Sequence, residues 1–106
     1  MNKRSFSRSA MSINIHASHG SESLGHVLDL TERGLCLGGV GMAPTSPLPL
    51  TLRLPWPVNG VKELHMQADP RWYSYANDGH WRAGLRIHGD EQTALTLAAL
   101  AAKYGQ

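Results

Sequence analysis

The chain has 106 residues, a formal net charge of +2 and 17% charged residues. This length fits a single domain, and the small, dispersed positive charge argues against a protein that follows a long phosphate backbone. A small anionic ligand fits better, because a few well-placed arginines are enough to bind it. We expect a cytoplasmic protein without membrane insertion, since no apolar run approaches the roughly 20 residues that span a bilayer and the basic N-terminus lacks a signal-peptide core.

The N-terminal half carries alternating apolar patterns separated by turn residues. Residues 1–10 are basic and serine-rich and predict a flexible arm. From Met11 to Ala17 every second residue is apolar, which predicts a half-buried strand, while residues 18–23 predict a turn and residues 26–30 a second strand. After a turn at 31–34, the apolar run 35–37 contains the only cysteine, Cys36, which we expect to be a buried strand thiol. Glycine and proline predict a loop over 38–47.

The C-terminal half continues this pattern and then changes its period. Leucines alternate with other residues from Leu48 to Leu54, and the pair Asn59-Gly60 is a strong hairpin signal. An extended segment over 61–75 is interrupted at Pro70, and a second turn at 77–79 leads to a last strand over 81–87. From Asp90 the apolar period becomes that of an amphipathic helix. These elements predict an all-β domain with a C-terminal helix: a closed antiparallel barrel over 11–88, with the helix over 90–104 covering one opening.

A first candidate binding motif lies in the arm. Arg4 and Arg8 form an Arg-x-x-x-Arg motif, and Lys3 precedes it. Each guanidinium offers a planar fork for phosphate oxygens or for the O6/N7 edge of guanine, and a flat face for stacking. Alone, this motif is also typical of a solvated basic N-terminus.

A second candidate motif lies at the junction of a strand and a turn. Asp29, Thr31 and Gly34 form an Asp-x-Thr-x-x-Gly motif, in which alternation places the Asp29 and Thr31 side chains on one face. A carboxylate can accept hydrogen bonds from the N1 and N2 donors of guanine, and a hydroxyl beside it can donate or accept. The alternative is a turn whose side chains satisfy only their own backbone.

The two motifs in this order, about 20 residues apart, resemble those of the PilZ domain family. Further similarities are the leucine-alternating strand, Trp72 in a long fifth strand, the final strand from Arg82 to Ile87, and the closing helix. The resemblance covers nearly all of residues 3–104. It implies a six-stranded antiparallel barrel of the PilZ type and a bacterial, non-catalytic receptor for the second messenger cyclic di-GMP.

The resemblance also assigns residues to the ligand. It implies that Arg4 and Arg8 bind phosphate and guanine, that Asp29 contacts a guanine edge, and that Gly34 is the motif glycine. Thr31 stands where the family usually has serine, and Lys3 stands where the family varies, so Lys3 leaves open whether one ligand or a stacked pair binds. Ordering of the arm around cyclic di-GMP would expose a surface to an unidentified protein effector.

Other site chemistries have weaker support. Six histidines are present without a cysteine or carboxylate cluster that completes a tetrahedral set, so we predict neither a metal site nor another cofactor. No Gly-x-Ser-x-Gly elbow appears, so we predict no enzyme. The remaining aromatic residues fit packing better than a stacking platform for single-stranded nucleic acid: Trp56, Trp72, Tyr73, Tyr75 and Trp81.

Two alternative functions remain open at this point. The first is an adaptor of the same fold in pilus or motility assembly that binds no nucleotide, and the intact arginine and aspartate motifs count against it. The second is an oligonucleotide-binding barrel, and the low net charge counts against that.

Overall fold

A computed structural model describes residues 11–31 and 33–105 as a closed six-stranded antiparallel barrel followed by one helix. The elements are β1 His16–His19, β2 Glu22–Leu30, β3 Gly34–Val40, β4 Leu48–Val58, β5 Val61–Tyr75, β6 His80–His88 and α1 Glu91–Tyr104. The order of strands around the barrel is β1-β2-β3-β6-β5-β4. The predicted fold, an all-β six-stranded barrel with a C-terminal helix, is confirmed. The predicted arm over 1–10 lies outside the described residues.

The barrel interior holds the apolar residues that alternate along the strands. Leu50, Leu52 and Leu54 of β4 are buried, and so are Ala83 and Leu85 of β6. The same alternation leaves Arg53, Arg82 and Arg86 on the outer surface. Because the barrel is closed and antiparallel, this inside–outside pattern decides which side chains are available to a ligand.

The two predicted hairpins are confirmed, and their turns have the backbone that the sequence requires. Asn59 and Gly60 both have positive φ, 52° and 75°, and Val58 pairs with Val61 across them. This is the geometry of a two-residue type I′ turn. At the second hairpin the Gly79 amide donates to the Ala76 carbonyl, and the His80 amide donates to Asp78 Oδ1 at 3.1 Å.

Several element boundaries differ from the prediction; residues 18, 19, 22 and 23, predicted as a turn, belong to β1 and β2. Residues 11–15 are not assigned to a strand, although Ile15 is fully buried and residues 11 and 15 each form a backbone hydrogen bond with β2. Residues 38–40, predicted as loop, belong to β3, where Gly39 pairs with Trp81 and Val40 with His80. A Cβ on residue 39 would overlap the Trp81 ring, with Cε2 at 2.9 Å, so packing rather than strand propensity selects glycine there.

Helix α1 begins and ends where the sequence predicts. Asp90 is the N-cap, and its Oδ1 accepts from the Thr93 amide at 2.8 Å. At the other end the Gly105 amide donates to the Ala101 carbonyl at 3.0 Å. Leu97 and Leu100 are buried in the same core as the barrel residues, so one face of the helix packs against the barrel. Within residues 11–31 and 33–105, no helix has the length and apolar character to cross a membrane.

Candidate ligand-binding face

Thr31 holds the turn between β2 and β3 through its hydroxyl group. Thr31 Oγ1 donates to the Gly34 carbonyl at 3.2 Å and accepts from the Arg33 and Gly34 amides at 3.3 and 3.2 Å. The Thr31 amide donates to the same carbonyl at 2.9 Å. The Thr31 side chain therefore satisfies its own turn, as the alternative interpretation of this motif expects, while it stays exposed.

Asp29 lies half-buried on the outer surface of β2, opposite Cys36 of β3. A bulge between Val27 and Asp29 shifts the register of the two strands just before this pair. Asp29 Oδ1 accepts from the Leu30 amide at 2.8 Å. This contact fixes the carboxylate beside the turn and leaves Oδ2 without a hydrogen bond to any described residue.

Gly34 begins β3 at a point where the neighbouring strand comes very close. A Cβ on residue 34 would lie 2.9 Å from the Leu85 carbonyl oxygen of β6, and a backbone atom cannot move away cheaply. The motif glycine thus has a packing role where β3 meets β6. The predicted residues Asp29, Thr31 and Gly34 lie together at one corner of the barrel.

The strand register extends this corner into a row across four strands. Asp29 lies opposite Cys36, Cys36 lies opposite Gly84 of β6, and Gly84 lies opposite Trp72 of β5. Trp72 is 50% exposed, and its indole lies against Gly84. We call the outer surface formed by these four residues, together with Arg82 and Arg86 on either side of Gly84, the Trp72 face.

Arg82 and Arg86 provide positive charge on the Trp72 face. Both side chains are exposed, and neither forms an ion pair with another described residue. Arg86 lies between Gly34 on β3 and Asp69 on β5, so one carboxylate is near it. Such guanidinium groups are suited to phosphate or to a guanine edge.

The Cys36 thiol responds to the charges of the Trp72 face. Burial raises the pKa of the Cys36 thiol, the positive charge of Arg82 lowers it, and the negative charge of Asp29 raises it. Arg82 and Asp29 therefore lie within electrostatic range of the same sulfur atom. The predicted buried thiol is only half-buried, because Cys36 faces outward between the inward-facing Leu35 and Leu37.

Three residues of this face carry no binding motif in the sequence. Arg82 and Arg86 lie in the last predicted strand, and the sequence favours a packing role for Trp72. The alternation of β6, with Trp81 and Ala83 inside, is a signal that could have placed both arginines outside. Trp81 is a core residue, 2% exposed, whereas four other aromatic residues pack on the surface and are about half exposed: Trp56, Trp72, Tyr73 and Tyr75.

The start of the described chain lies beside this corner. The Met11 amide donates to the Leu28 carbonyl at 3.1 Å, and Leu28 immediately precedes Asp29. The Ser12 amide donates to the Tyr104 carbonyl at 2.9 Å. The predicted ligand residues Lys3, Arg4 and Arg8 lie outside the described residues.

The histidines are dispersed over the barrel. His16 and His26 face each other across β1 and β2, and His65 lies near Glu63 on β5. In the part of the chain that the structure describes, no three histidine, cysteine or acidic residues are grouped so that they could hold a metal ion.

No family model matches this sequence, and no curated protein matches it.

Proposed function

We propose that this chain is a cytoplasmic receptor for cyclic di-GMP of the PilZ type, which binds the nucleotide without catalysis and relays the signal to a protein effector. One observation carries the proposal: Met11, from which the arginine-bearing segment extends, is hydrogen-bonded to Leu28, next to Asp29. The described chain therefore begins beside the corner that carries the second motif.

Chain length supports contact between the two motifs. An extended chain advances at most about 3.6 Å per residue, so the Arg8 Cα lies within about 11 Å of the Met11 Cα. The long arginine side chain adds further reach. A segment of this length could bring Arg8 to a ligand that rests at the Asp29 corner of the Trp72 face.

The chemistry of the Trp72 face fits a guanine dinucleotide. Cyclic di-GMP carries two phosphate charges and two guanine bases. Arg82 and Arg86 offer two guanidinium forks, and half of the Trp72 ring is open for base stacking. Asp29 keeps acceptor capacity on its carboxylate for the N1 and N2 donors of guanine. A face that combines cations, an aromatic ring and one acidic acceptor suits guanine better than it suits phosphate alone.

Calorimetric titration of the full chain tests this function. We expect cyclic di-GMP to bind with a Kd in the micromolar range or tighter, and GTP and a short single-stranded oligonucleotide to bind much more weakly. Arg8→Ala should weaken the binding by about tenfold or more, because a charge-assisted contact is worth roughly 1.5–3 kcal/mol. Arg82→Ala should also weaken it.

Arg53→Ala is the matched control. Arg53 is an exposed arginine on β4, outside the Trp72 face, and it forms an ion pair with Glu63 of β5. The Arg53→Ala variant should bind cyclic di-GMP with the same affinity as the unaltered chain. Wild-type protein that fails to bind cyclic di-GMP, or an Arg8→Ala variant with full affinity, contradicts the proposal.

An adaptor that binds no nucleotide is a second candidate, and one observation favours it. The described hydrogen bonds of the Asp29 and Thr31 side chains all go to the backbone of their own turn. Under this function the motif serves only to shape the β2–β3 corner. The same titration separates the two functions, since an adaptor of this kind gives no heat with cyclic di-GMP.

A further inference from the structure

Two histidines lie directly opposite each other on the outer surface of the barrel. His16 of β1 pairs with His26 of β2. The adjacent residue pair is joined by a hydrogen bond from the Val27 amide to the Ile15 carbonyl, so His16 and His26 form a non-hydrogen-bonded pair. In such a pair the side chains come closest, with Cβ atoms roughly 4.5–5.5 Å apart. Both imidazoles are exposed on the same face, because their neighbours Ile15 and Val27 are buried in the core.

No contact within the described chain holds these two imidazoles in another position. Three other histidines bond to a neighbour on the barrel surface: His19, His65 and His80. By contrast, His16 and His26 form no hydrogen bond or ion pair with any residue of 11–31 or 33–105. Within this part of the chain, their ring nitrogens are open to a shared ligand.

The charges around the two histidines admit a cation. Arg53 of β4 lies on the other side of His16, where its positive charge could repel a metal ion. Arg53 forms an ion pair with Glu63 of β5, the strand further from His26, and this carboxylate offsets its charge. Arg82 of β6 lies two strands from His26 in the other direction, at about 9–10 Å, and solvent screens exposed charges at that range.

We propose that His16 and His26 bind one divalent transition-metal ion, of the class of Ni²⁺, Cu²⁺ and Zn²⁺, between β1 and β2. Imidazole nitrogen is a preferred ligand of these ions and binds Zn²⁺ at about 2.0–2.1 Å, so two opposed rings at this spacing can reach one ion. The pair supplies two ligands and leaves the remaining coordination positions to water, which makes the site an open one. Mg²⁺, which prefers oxygen ligands, should not bind there.

Calorimetric titration of the full chain with Ni²⁺ provides the first test. We expect His16→Gln and His26→Gln each to weaken Ni²⁺ binding by about a hundredfold, because the second imidazole acts as an intramolecular ligand at high effective concentration. The variant that carries both changes should bind little more weakly than either single variant, since one imidazole alone no longer chelates the ion. Mg²⁺ should give no heat with the unaltered chain.

His88→Gln is the matched control. His88 is an exposed strand histidine on β6, and its partner across the ladder to β5 is Gln67 rather than a second histidine. The His88→Gln variant should bind Ni²⁺ with the same affinity as the unaltered chain.

Thermal unfolding, followed by circular dichroism, provides the second test. An ion that joins β1 to β2 only in the folded chain raises the melting temperature. Ni²⁺ should therefore raise the melting temperature of the unaltered chain and of His88→Gln, and leave that of His16→Gln and His26→Gln unchanged. Melting curves recorded without metal show that each variant is folded.

Two results would overturn the proposal. Folded His16→Gln and His26→Gln variants that bind Ni²⁺ as tightly as the unaltered chain would assign the ion to other residues. An unaltered chain that binds Ni²⁺ no more tightly than the double variant would show that the two imidazoles do not act together. Neither measurement involves cyclic di-GMP, so failure of this inference and failure of the proposed function are distinguishable.

Discussion

The Trp72 indole lies so close to Gly84 on the neighbouring strand that any side chain at position 84 would displace it. A Cβ built on residue 84 would lie 2.9 Å from Trp72 Cδ1 and nearer still to Trp72 Nε1 and Cε2. Glycine therefore lets the aromatic ring rest against the barrel while half of it stays open to solvent. An aromatic surface held in this way, between Arg82 and Arg86, has little conformational entropy left to lose on binding a base.

The first prediction follows from this contact. Gly84→Ala should displace the Trp72 ring and weaken cyclic di-GMP binding by about tenfold, since stacking of one base on an aromatic ring is worth roughly 1–3 kcal/mol. Calorimetry on a double-mutant cycle checks whether residue 84 acts through the Trp72 ring. In a Trp72→Ala background, Gly84→Ala should have almost no further effect. An equal loss in both backgrounds would mean that residue 84 acts independently of Trp72.

The second prediction concerns the stability of the β2–β3 turn. Thr31→Val keeps the shape of the side chain but removes the hydroxyl that contacts the backbone of residues 33 and 34. We expect a loss of about 1 kcal/mol in the free energy of unfolding, measured with urea, because the freed backbone groups are exposed and water replaces part of the lost hydrogen bonds. Thr31→Ser retains the hydroxyl and should lose less. A Thr31→Val protein as stable as the unaltered chain would show that the hydroxyl does not hold the turn.

Much of the fold could be predicted because its signals are local. Alternation from Leu48 to Leu54 depends on a repeat of two along one strand, and the Asn59-Gly60 turn depends on two residues that tolerate positive φ. The prediction of a loop at residues 38–40 was wrong because glycine has no strand preference of its own. Gly39 is in a strand because the Trp81 ring and the Leu24 carbonyl occupy the space that a side chain would need.

The candidate site was predictable only in part, for a related reason. Asp29, Thr31 and Gly34 are neighbours in sequence, so one motif identifies them. Trp72 and Arg82 come onto the same face as Asp29 only through the register of β3 with β6 and of β6 with β5, where a bulge after Pro70 shifts the pairing. Such registers depend on packing across the whole barrel, which no single segment of the sequence specifies.

The third prediction concerns the N-cap of α1. The Asp90 carboxylate accepts from the Thr93 amide, and this hydrogen bond lowers the pKa of Asp90 below its usual value. A depressed pKa means that the cap stabilises the fold fully at neutral pH and loses its effect as the pH falls through the lowered value. Asp90→Ala should lower the melting temperature at pH 7, and this difference from the unaltered chain should shrink in strongly acidic solution.

Asp90→Ser separates the hydrogen bond from the charge, because serine also caps helices well. The Asp90→Ser variant should keep most of the stability at pH 7, and its melting temperature should change less as the pH falls. A constant difference between Asp90→Ala and the unaltered chain from neutral to strongly acidic pH would contradict the role of the carboxylate. Thermal unfolding followed by circular dichroism measures both variants.

The fourth prediction uses the Cys36 thiol to probe the charges of the Trp72 face. Burial raises the pKa of Cys36, and only the thiolate is alkylated, so iodoacetamide should react slowly at neutral pH and faster as the pH rises. Arg82 lowers this pKa, so Arg82→Ala should raise it further and slow the reaction. Asp29 raises it, so Asp29→Asn should lower it and speed the reaction. Mass spectrometry of the alkylated chain over a range of pH gives the rates.

The opposite signs expected for these two variants make the experiment specific. A general loosening of the barrel would expose the thiol and speed alkylation in both variants, whereas an electrostatic effect slows one and speeds the other. Lys62→Ala, a change at an exposed lysine on β5, is the control and should leave the rate unchanged. If Arg82→Ala reacts as fast as the unaltered chain, its guanidinium does not act on Cys36. If saturating cyclic di-GMP slows alkylation of the unaltered chain, the nucleotide covers the row that joins Asp29 to Trp72.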